Sequence, residues 1–132
     1  MVQRIIDGAG ISMGRLATYA AKQSLKGDEI HVVNCGDTVI TGNKWTVHSE
    51  FREKRNKVGD TQQGPKHIRK AERIVKRAIR GMLPGHRQGR GREAWKRIRC
   101  YKEIPQAFEG QEMEKLDKGN KIKKVKVRNL EK

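Results

Sequence analysis

The residues of this chain that are best suited to chemistry are its cations, because they are concentrated in one stretch. Residues 64–102 hold 14 of the 31 lysines and arginines but only two acids, Glu72 and Glu93, and they carry +12 of the formal charge of +16. Residues 1–50 balance to zero. Because a local excess of guanidinium and ammonium groups attracts phosphates, this stretch predicts a binding surface for a polyanion.

Within the stretch, residues 89–92 alternate glycine with arginine. In a loop, glycine lets the backbone approach a phosphodiester chain while the guanidinium groups bind phosphates or stack on bases. The alternative is a flexible, solvated loop, but the cations on both sides favour contact with nucleic acid. The candidate residues for contact with nucleic acid are Arg52, Arg55, Lys66, Arg69, Lys70, Arg73, Lys76, Arg77, Arg80, His86, Arg87, Arg90, Arg92, Lys96 and Arg97.

The sequence contains only weak signals for catalytic or cofactor-binding sites. Gly8, Gly10 and Gly14 are spaced one residue too widely for a dinucleotide fingerprint, and no acid follows the second predicted strand, which favours a plain turn. Cys35 and Cys100 stand alone in sequence, so buried, reduced thiols are a better interpretation than a disulfide or a zinc site. We expect no catalytic residue, no metal, no cofactor and no enzymatic activity.

The apolar pattern that must position these cations is a β-α-β unit followed by further helices. Asn43 is placed to cap the helix after the third strand, with Trp45, His48 and Phe51 on its inward side. The predicted elements are a strand over 2–7, a helix capped by Ser12 over 13–26, strands over 30–33 and 38–41, a helix over 44–57, a helix over 65–80, a short helix over 92–97 and a strand over 98–104.

The most basic helix is expected to begin at Pro65 and end near Arg80. Its apolar residues recur with helical spacing and predict a stripe facing the sheet. Seven cations and a single acid occupy the rest of its surface, so an external anion must neutralise it. The stripe is formed by Ile68, Ala71, Ile74, Val75, Ala78, Ile79 and Met82.

The length of 132 residues predicts one domain, which the pattern of elements makes an α/β domain over residues 1–104 with an irregular C-terminal extension over 105–132. Phe108 and Met113 are candidate anchors of that extension, and the alternating run 121–127 predicts a strand or an extended arm. The chain contains no apolar run of membrane-spanning length, and its N-terminus lacks the plan of a signal peptide. We therefore expect a cytoplasmic protein with no membrane partner, and no homo-oligomer.

Four short motifs, in this order, closely resemble the ribosomal protein L13 family, and the resemblance covers residues 2 to about 105. The variant of the last motif is similar to the archaeal and eukaryotic branch. The motifs are Gly14-Arg15-Leu16-Ala17, Val32-Val33-Asn34, Ile40-Thr41-Gly42-Asn43-Lys44, and Gly81-Met82-Leu83-Pro84 with the following Gly89-Arg90-Gly91-Arg92-Glu93-Ala94.

The resemblance implies a three-layer α/β/α domain around a four-stranded, mainly parallel sheet. It also implies a structural constituent of the large ribosomal subunit that binds large-subunit ribosomal RNA, supports assembly of the subunit and contacts neighbouring ribosomal proteins. Two alternatives stay open: a free RNA-binding translational regulator, which would need the same basic surface, and more remotely a nucleotide-binding enzyme. The RNA-facing positions implied by the family motifs are Asn43, Lys44, Arg80, Arg90 and Arg92.

Overall fold

A computed structural model of the chain describes residues 2–57, 67–116 and 123–131, which form an α/β fold as expected. Short 3-10 helices cover Cys35–Asp37, Gln106–Phe108 and Val127–Glu131. In chain order the helices and strands are β1 (Gln3–Asp7), α1 (Met13–Leu25), β2 (Glu29–Val33), β3 (Val39–Thr41), α2 (Lys44–Asn56), α3 (Ala71–Gly81), α4 (Gly89–Lys96), β4 (Ile98–Cys100), β5 (Glu114–Lys115) and β6 (Lys124–Lys126).

The predicted β-α-β unit is present as β1, α1 and β2. The two strands are parallel, with Ile6 opposite Val32, and both side chains are fully buried. Leu16, Ala17 and Ala20 form the buried face of α1 above them, and the small alanines let the helix lie close to the sheet. Ser12 occupies the N-cap position of α1, although its side chain makes no capping hydrogen bond.

The main sheet has four parallel strands in the order β4-β2-β1-β5, so the prediction of a four-stranded, mainly parallel sheet is confirmed. One of its expected strands differs. Residues 39–41 lie outside it and pair antiparallel with β6, which falls in the alternating run 121–127. The fourth strand is instead β5, from the segment predicted to be irregular.

An ionic cluster holds β5 beside β1. Arg4 donates to Glu114 Oε1 at 2.7 Å and to Asp28 Oδ2 at 2.6 Å, and Tyr19 donates to Glu114 Oε2 at 2.6 Å. Hydrogen bonds to the two carboxylates raise the pKa of Arg4, and the bond to Glu114 raises that of Tyr19. The polar contacts among Arg4, Tyr19 and Glu114 therefore explain why β5 forms although its two residues have no apolar pattern.

The two faces of the sheet are covered differently. Helices α1, α3 and α4 pack on one face, over a core that also includes Val127 and Leu130 from the C-terminal 3-10 helix. On the other face Phe108 packs against Ile5 and Val33, with Met113 beside them. The two predicted anchors of the C-terminal segment are thus confirmed.

Helix α3 is shorter than its sequence pattern predicted. Residues 67–70 are not helical, and Lys70 has extended backbone angles at the N-cap. Ile68 is 53% exposed and Met82 is 45% exposed, so the buried stripe spans only Ala71 to Ile79. With no packing at Ile68 to support it, an additional turn is not stabilised. The predicted start at Pro65 lies outside the described residues.

Helix α2 has its predicted cap and, except at Trp45, its predicted inward side, because His48 and Phe51 are half-buried. The Asn43 side chain accepts a hydrogen bond from the Trp45 backbone N–H at 3.0 Å. Trp45 itself is 76% exposed, so its inward placement was wrong, while Val47 and Phe51 are half-buried against the core. Because α2 contacts the β3–β6 ribbon rather than the main sheet, only part of one face is covered.

Helix α4 begins at Gly89 rather than at Arg92, so the predicted glycine-arginine loop is the first turn of a helix. The reason lies at Gly91, which is buried against the turn that precedes the helix. A Cβ at this position would lie 1.5 Å from the carbonyl oxygen of Pro84 and 2.6 Å from that of Gly85. Glycine here allows backbone-to-backbone packing, which fixes the turn and the helix together.

The glycine-rich turn after β1 has a comparable packing role. A Cβ at Gly8 would lie 2.8 Å from Thr38 Oγ1, and the buried Thr38 hydroxyl donates to the Gly8 carbonyl oxygen at 3.0 Å. The turn thus packs against its own chain, as a plain strand-to-helix turn does. Among the described helices, none is both long enough and apolar enough to cross a membrane.

Cys35 and Cys100 are both free thiols. Cys35 is buried and Cys100 is half-buried. The hydrogen bond with Cys100, together with burial, raises the pKa of the Cys35 thiol well above its ordinary range. A protonated, buried thiol is a poor nucleophile and a poor metal ligand. Within the described ranges, no group of three or more His, Cys, Asp or Glu side chains is arranged to hold a metal ion.

Candidate nucleic-acid interface

Helix α3 presents cations because its apolar stripe fixes its rotation. Ile74, Val75 and Ile79 are buried in the core, which leaves the arginines and lysines of the helix on the other sides. Arg73 is exposed, and Lys76, Arg77 and Arg80 are half-buried. In the described part of the chain, Arg73 and Arg80 have no carboxylate within salt-bridge distance. Their charges are therefore available to an external anion.

A groove runs between α2 and α3, and we call it the α2–α3 groove. Its volume is about 440 Å³. The walls bring together cations from the two helices with apolar side chains from β3, α2 and α4. The cations are Lys54, Arg73, Lys76, Arg77 and Arg80, and the apolar side chains include Ile40, Val47, Phe51, Ala78 and Trp95.

The electrostatic field in the α2–α3 groove acts on His67, which lies in its wall. Burial lowers the pKa of His67, and the positive charges of Arg77, Lys54 and Arg80 lower it further. These three cations come from two helices and act on one imidazole. The groove is therefore a place where positive charges converge, rather than a surface on which they are dispersed.

Two aromatic rings hold cations at the groove. The Lys76 ammonium lies 4.8 Å from the centroid of the Trp95 ring, and the Arg55 guanidinium lies 6.0 Å from that of Phe51. Such contacts restrict long side chains that are otherwise mobile. The contact between Lys76 and Trp95 also links α3 to α4, since Trp95 belongs to the latter helix.

The first turn of α4 carries Arg90 and Arg92, both exposed. Because Gly91 packs on the turn formed by Pro84 and Gly85, these arginines stand on a fixed element rather than on a flexible loop. Lys96, at the other end of α4, is also exposed. The turn before the helix adds His86, which is half-buried, and Arg87, which is exposed.

Arg97 differs from the other candidates because it has an internal partner. It is half-buried, and its Nη1 donates to the carbonyl oxygen of Ser24 at 3.0 Å. The Ser24 hydroxyl is itself buried and donates to the carbonyl oxygen of Ala94 at 2.6 Å. These bonds join the C-terminal end of α1 to α4. At least part of the Arg97 guanidinium therefore stabilises the fold.

The remaining candidates do not line the groove. Asn43 and Lys44 are exposed at the N-terminal end of α2, about 15 Å along the helix from Lys54. The other exposed or half-buried candidates of the described chain are Arg52, Arg55, Arg69 and Lys70. Lys66 lies outside the described residues.

Sequence reasoning missed four residues of this region as candidates. Lys54, Phe51 and Trp95 line the α2–α3 groove, and Trp45 exposes its indole beside Lys44. The spacing of Trp45 and Phe51 was typical of an inward face, which concealed the exposed indole. A usable signal was present for Lys54: it stands near the C-terminal end of a basic helix, just before the next cationic stretch.

Comparison with known proteins gives a consistent result. Residues 2–107 match the family model for Ribosomal protein L13. The chain is 42% identical to a protein of Archaeoglobus fulgidus, over 86% of this chain and 71% of the relative. It is 45% identical to one of Methanosarcina barkeri, over 76% and 71%, and 40% identical to one of Thermoplasma acidophilum, over 86% and 82%. All three relatives are named large ribosomal subunit protein uL13, which is the name of a ribosomal protein and not of an enzyme.

Proposed function

The chain belongs to the ribosomal protein L13 family, and from this premise we propose that it is a structural constituent of the large ribosomal subunit that binds large-subunit ribosomal RNA through its basic surface. That surface is defined by the candidate cations of α2, α3 and α4 together with the turn before α4. Neighbouring ribosomal proteins are further partners, and support of subunit assembly is the biological role.

The observation that carries the proposal is the convergence of cations at the α2–α3 groove. Lys54 approaches from one helix and Arg77 and Arg80 from the other, and all three line the same groove as His67. A surface of this kind is unfavourable in isolation, because like charges repel. Phosphates bound between the helices would remove the repulsion and release the counterions of the RNA.

Mechanistically, the protein would act as a rigid clamp for RNA segments. The apolar core fixes α3, and the Gly91 contact fixes α4, so the cations of the two helices keep a constant spacing. Phosphate contacts made at constant spacing determine register and orientation but do not read base sequence. Recognition of a duplex would thus depend on backbone geometry and the shape of the minor groove.

The proposal is tested by filter binding of the purified protein to deproteinised large-subunit ribosomal RNA over a series of salt concentrations. Replacing both Arg90 and Arg92 with Ala should weaken binding and reduce the slope of log K against log salt by roughly one for each phosphate that is no longer neutralised. The thermal midpoint should stay unchanged, because both side chains are exposed and neither belongs to the apolar stripe.

Lys115→Ala supplies the matched control, because it removes an exposed cation from β5, at the far edge of the sheet. It should leave both affinity and salt slope at the values of the unmodified protein. Equal losses per charge removed, that is, half the loss of the arginine variant in Lys115→Ala, would mean that binding follows net charge alone, and the proposed surface would be wrong. A marked drop in the thermal midpoint of the arginine variant would assign Arg90 and Arg92 a structural role instead.

A further inference from the structure

We propose that the α2–α3 groove receives a single unpaired nucleotide, extruded from the bound RNA. The inference rests on the proposed RNA-binding function and assigns a specific task to one part of the basic surface. It concerns a base-binding pocket, whereas the clamp described above needs only phosphate contacts.

The first argument is the composition of the groove. Its floor and walls are largely apolar and include the Phe51 and Trp95 rings, while its charged lining contains five cations and one acid, Glu50. A nucleotide combines a flat, weakly polar ring with an anion one sugar away. Apolar walls flanked by guanidinium and ammonium groups complement both parts at once.

The second argument is the size of the groove and the polar groups in its lining. A volume of about 440 Å³ lies within the range of small-molecule sites and suits one nucleotide better than a duplex. Besides the cations, the polar lining residues are Thr41, Glu50 and His67, and the oxygens of Thr41 and Glu50 can accept hydrogen bonds from the exocyclic amine or ring N–H of a base. A small number of polar groups in fixed positions distinguishes a base-binding pocket from an apolar cleft.

The third argument selects RNA over a segment of a neighbouring protein. Four of the five cations of the groove are α3 residues of the proposed phosphate-binding surface, so the groove opens directly onto that surface. A nucleotide extruded from RNA bound to that surface would reach the pocket while its backbone stays on the surface. An acidic protein segment would have to compete with RNA phosphates for Arg73, Arg77 and Arg80.

The test uses fluorescence anisotropy with labelled RNA hairpins. One probe is fully paired, and four others carry a single bulged nucleotide, one for each base. The unmodified protein should bind at least one bulged hairpin about tenfold more tightly than the paired hairpin at the same salt, since one stacked base contributes on that order.

Two variants fill the groove without removing a charge. Ala78→Phe and Thr41→Phe each add a ring to a lining residue, one half-buried and one exposed. Each should abolish the preference for the bulged hairpin while leaving affinity for the paired hairpin unchanged. The matched control is Thr46→Phe, which places the same ring on an exposed residue of α2 that does not line the groove, and which should keep the full preference. Circular dichroism identifies any variant that fails to fold, and two independent filling positions keep the test decisive.

The outcomes separate this inference from the function on which it rests. Salt-dependent binding of all five hairpins with no preference by the unmodified protein would overturn the nucleotide pocket and leave the RNA-binding function intact. Failure to bind any hairpin or deproteinised ribosomal RNA would overturn both. A preference for the bulged hairpin that persists in both filled variants would also overturn the nucleotide pocket. Filled variants that keep the RNA binding of the unmodified protein but no longer join large subunits would overturn it too, in favour of a groove that binds a protein segment.

Discussion

Replacing Gly91 with Ala should destabilise the domain far more than an ordinary glycine substitution. The added Cβ would lie 1.5 Å from the Pro84 carbonyl oxygen and would have to move by about 1.9 Å to reach ordinary contact at 3.4 Å. Both obstacles, at Pro84 and Gly85, are backbone atoms, which cannot rotate away. Helix α4 must separate from the turn, and its buried residue Ala94 is then drawn away from the core.

We expect a cost of about 3 kcal/mol or more in the free energy of unfolding, at the upper end of the overpacking range. For a domain of this size that corresponds to a fall of roughly 10 °C in the thermal midpoint, measured by circular dichroism. Gly81→Ala is the control, because a Cβ there meets no atom within 4 Å. A Gly91→Ala midpoint within about 2 °C of the unmodified protein would refute the packing argument.

Three further substitutions or titrations probe other parts of the structure. Ile74→Asp buries an unpaired carboxylate beneath α3 and should unfold the domain, at a cost above about 4 kcal/mol; a folded variant in circular dichroism would contradict the inward stripe. Glu114→Ala removes the partner of Arg4 and Tyr19 and should cost about 1 kcal/mol in chemical denaturation, because the cluster is partly exposed. The hydrogen bond to Glu114 raises the pKa of Tyr19 in the folded protein, so the part of the stability that comes from this bond is complete below the ordinary tyrosine pKa of 10.0 and is lost as the pH rises through the higher folded value. A tyrosinate titration that Glu114→Ala leaves unchanged would refute the coupling between Tyr19 and Glu114. His67 should titrate below its ordinary 6.5 in the free protein, and bound phosphates should raise its pKa, so that RNA binding tightens as the pH falls; an NMR titration in which RNA lowers the His67 pKa would contradict this.

Much of the fold was predictable because local pattern and tertiary packing agree in the N-terminal half. The apolar strands around Ile6 and Val32 and the small-residue face of α1 lie where their periodicity placed them. The cap at Asn43 was predictable for the same reason, since its side chain acts on a backbone N–H two residues away. These features depend on residues that are close in sequence, so they can be predicted from the sequence alone.

The differences arise where distant contacts decide the structure. Strand β5 is held by Arg4, 110 positions away in sequence from Glu114, and no local pattern marks such a pair. The glycine-arginine run was predicted to be a loop because alternating glycines disfavour helices. Its helical turn forms because Gly91 is required against Pro84, a contact that only the folded chain makes apparent.

The basic surface was predictable as charge but not as shape. The excess of cations in residues 64–102 identified α3 and α4 correctly as basic elements, because charge is a property of composition. The α2–α3 groove was not predictable, since it needs Lys54 and Phe51 from one helix and Trp95 from another. Trp45 was misplaced because three-residue spacing fits an inward face whether or not any partner covers it.

The most direct measurement of ribosomal function is sedimentation of a cell extract through a sucrose gradient, at moderate and then at high salt, with detection of this protein. Co-migration with the large subunit that survives the high-salt wash is the predicted result, because many phosphate contacts on a rigid surface release slowly together. A slowly sedimenting peak at both salt concentrations would contradict a constitutive place in the subunit, and a free RNA-binding regulator would then explain the basic surface better.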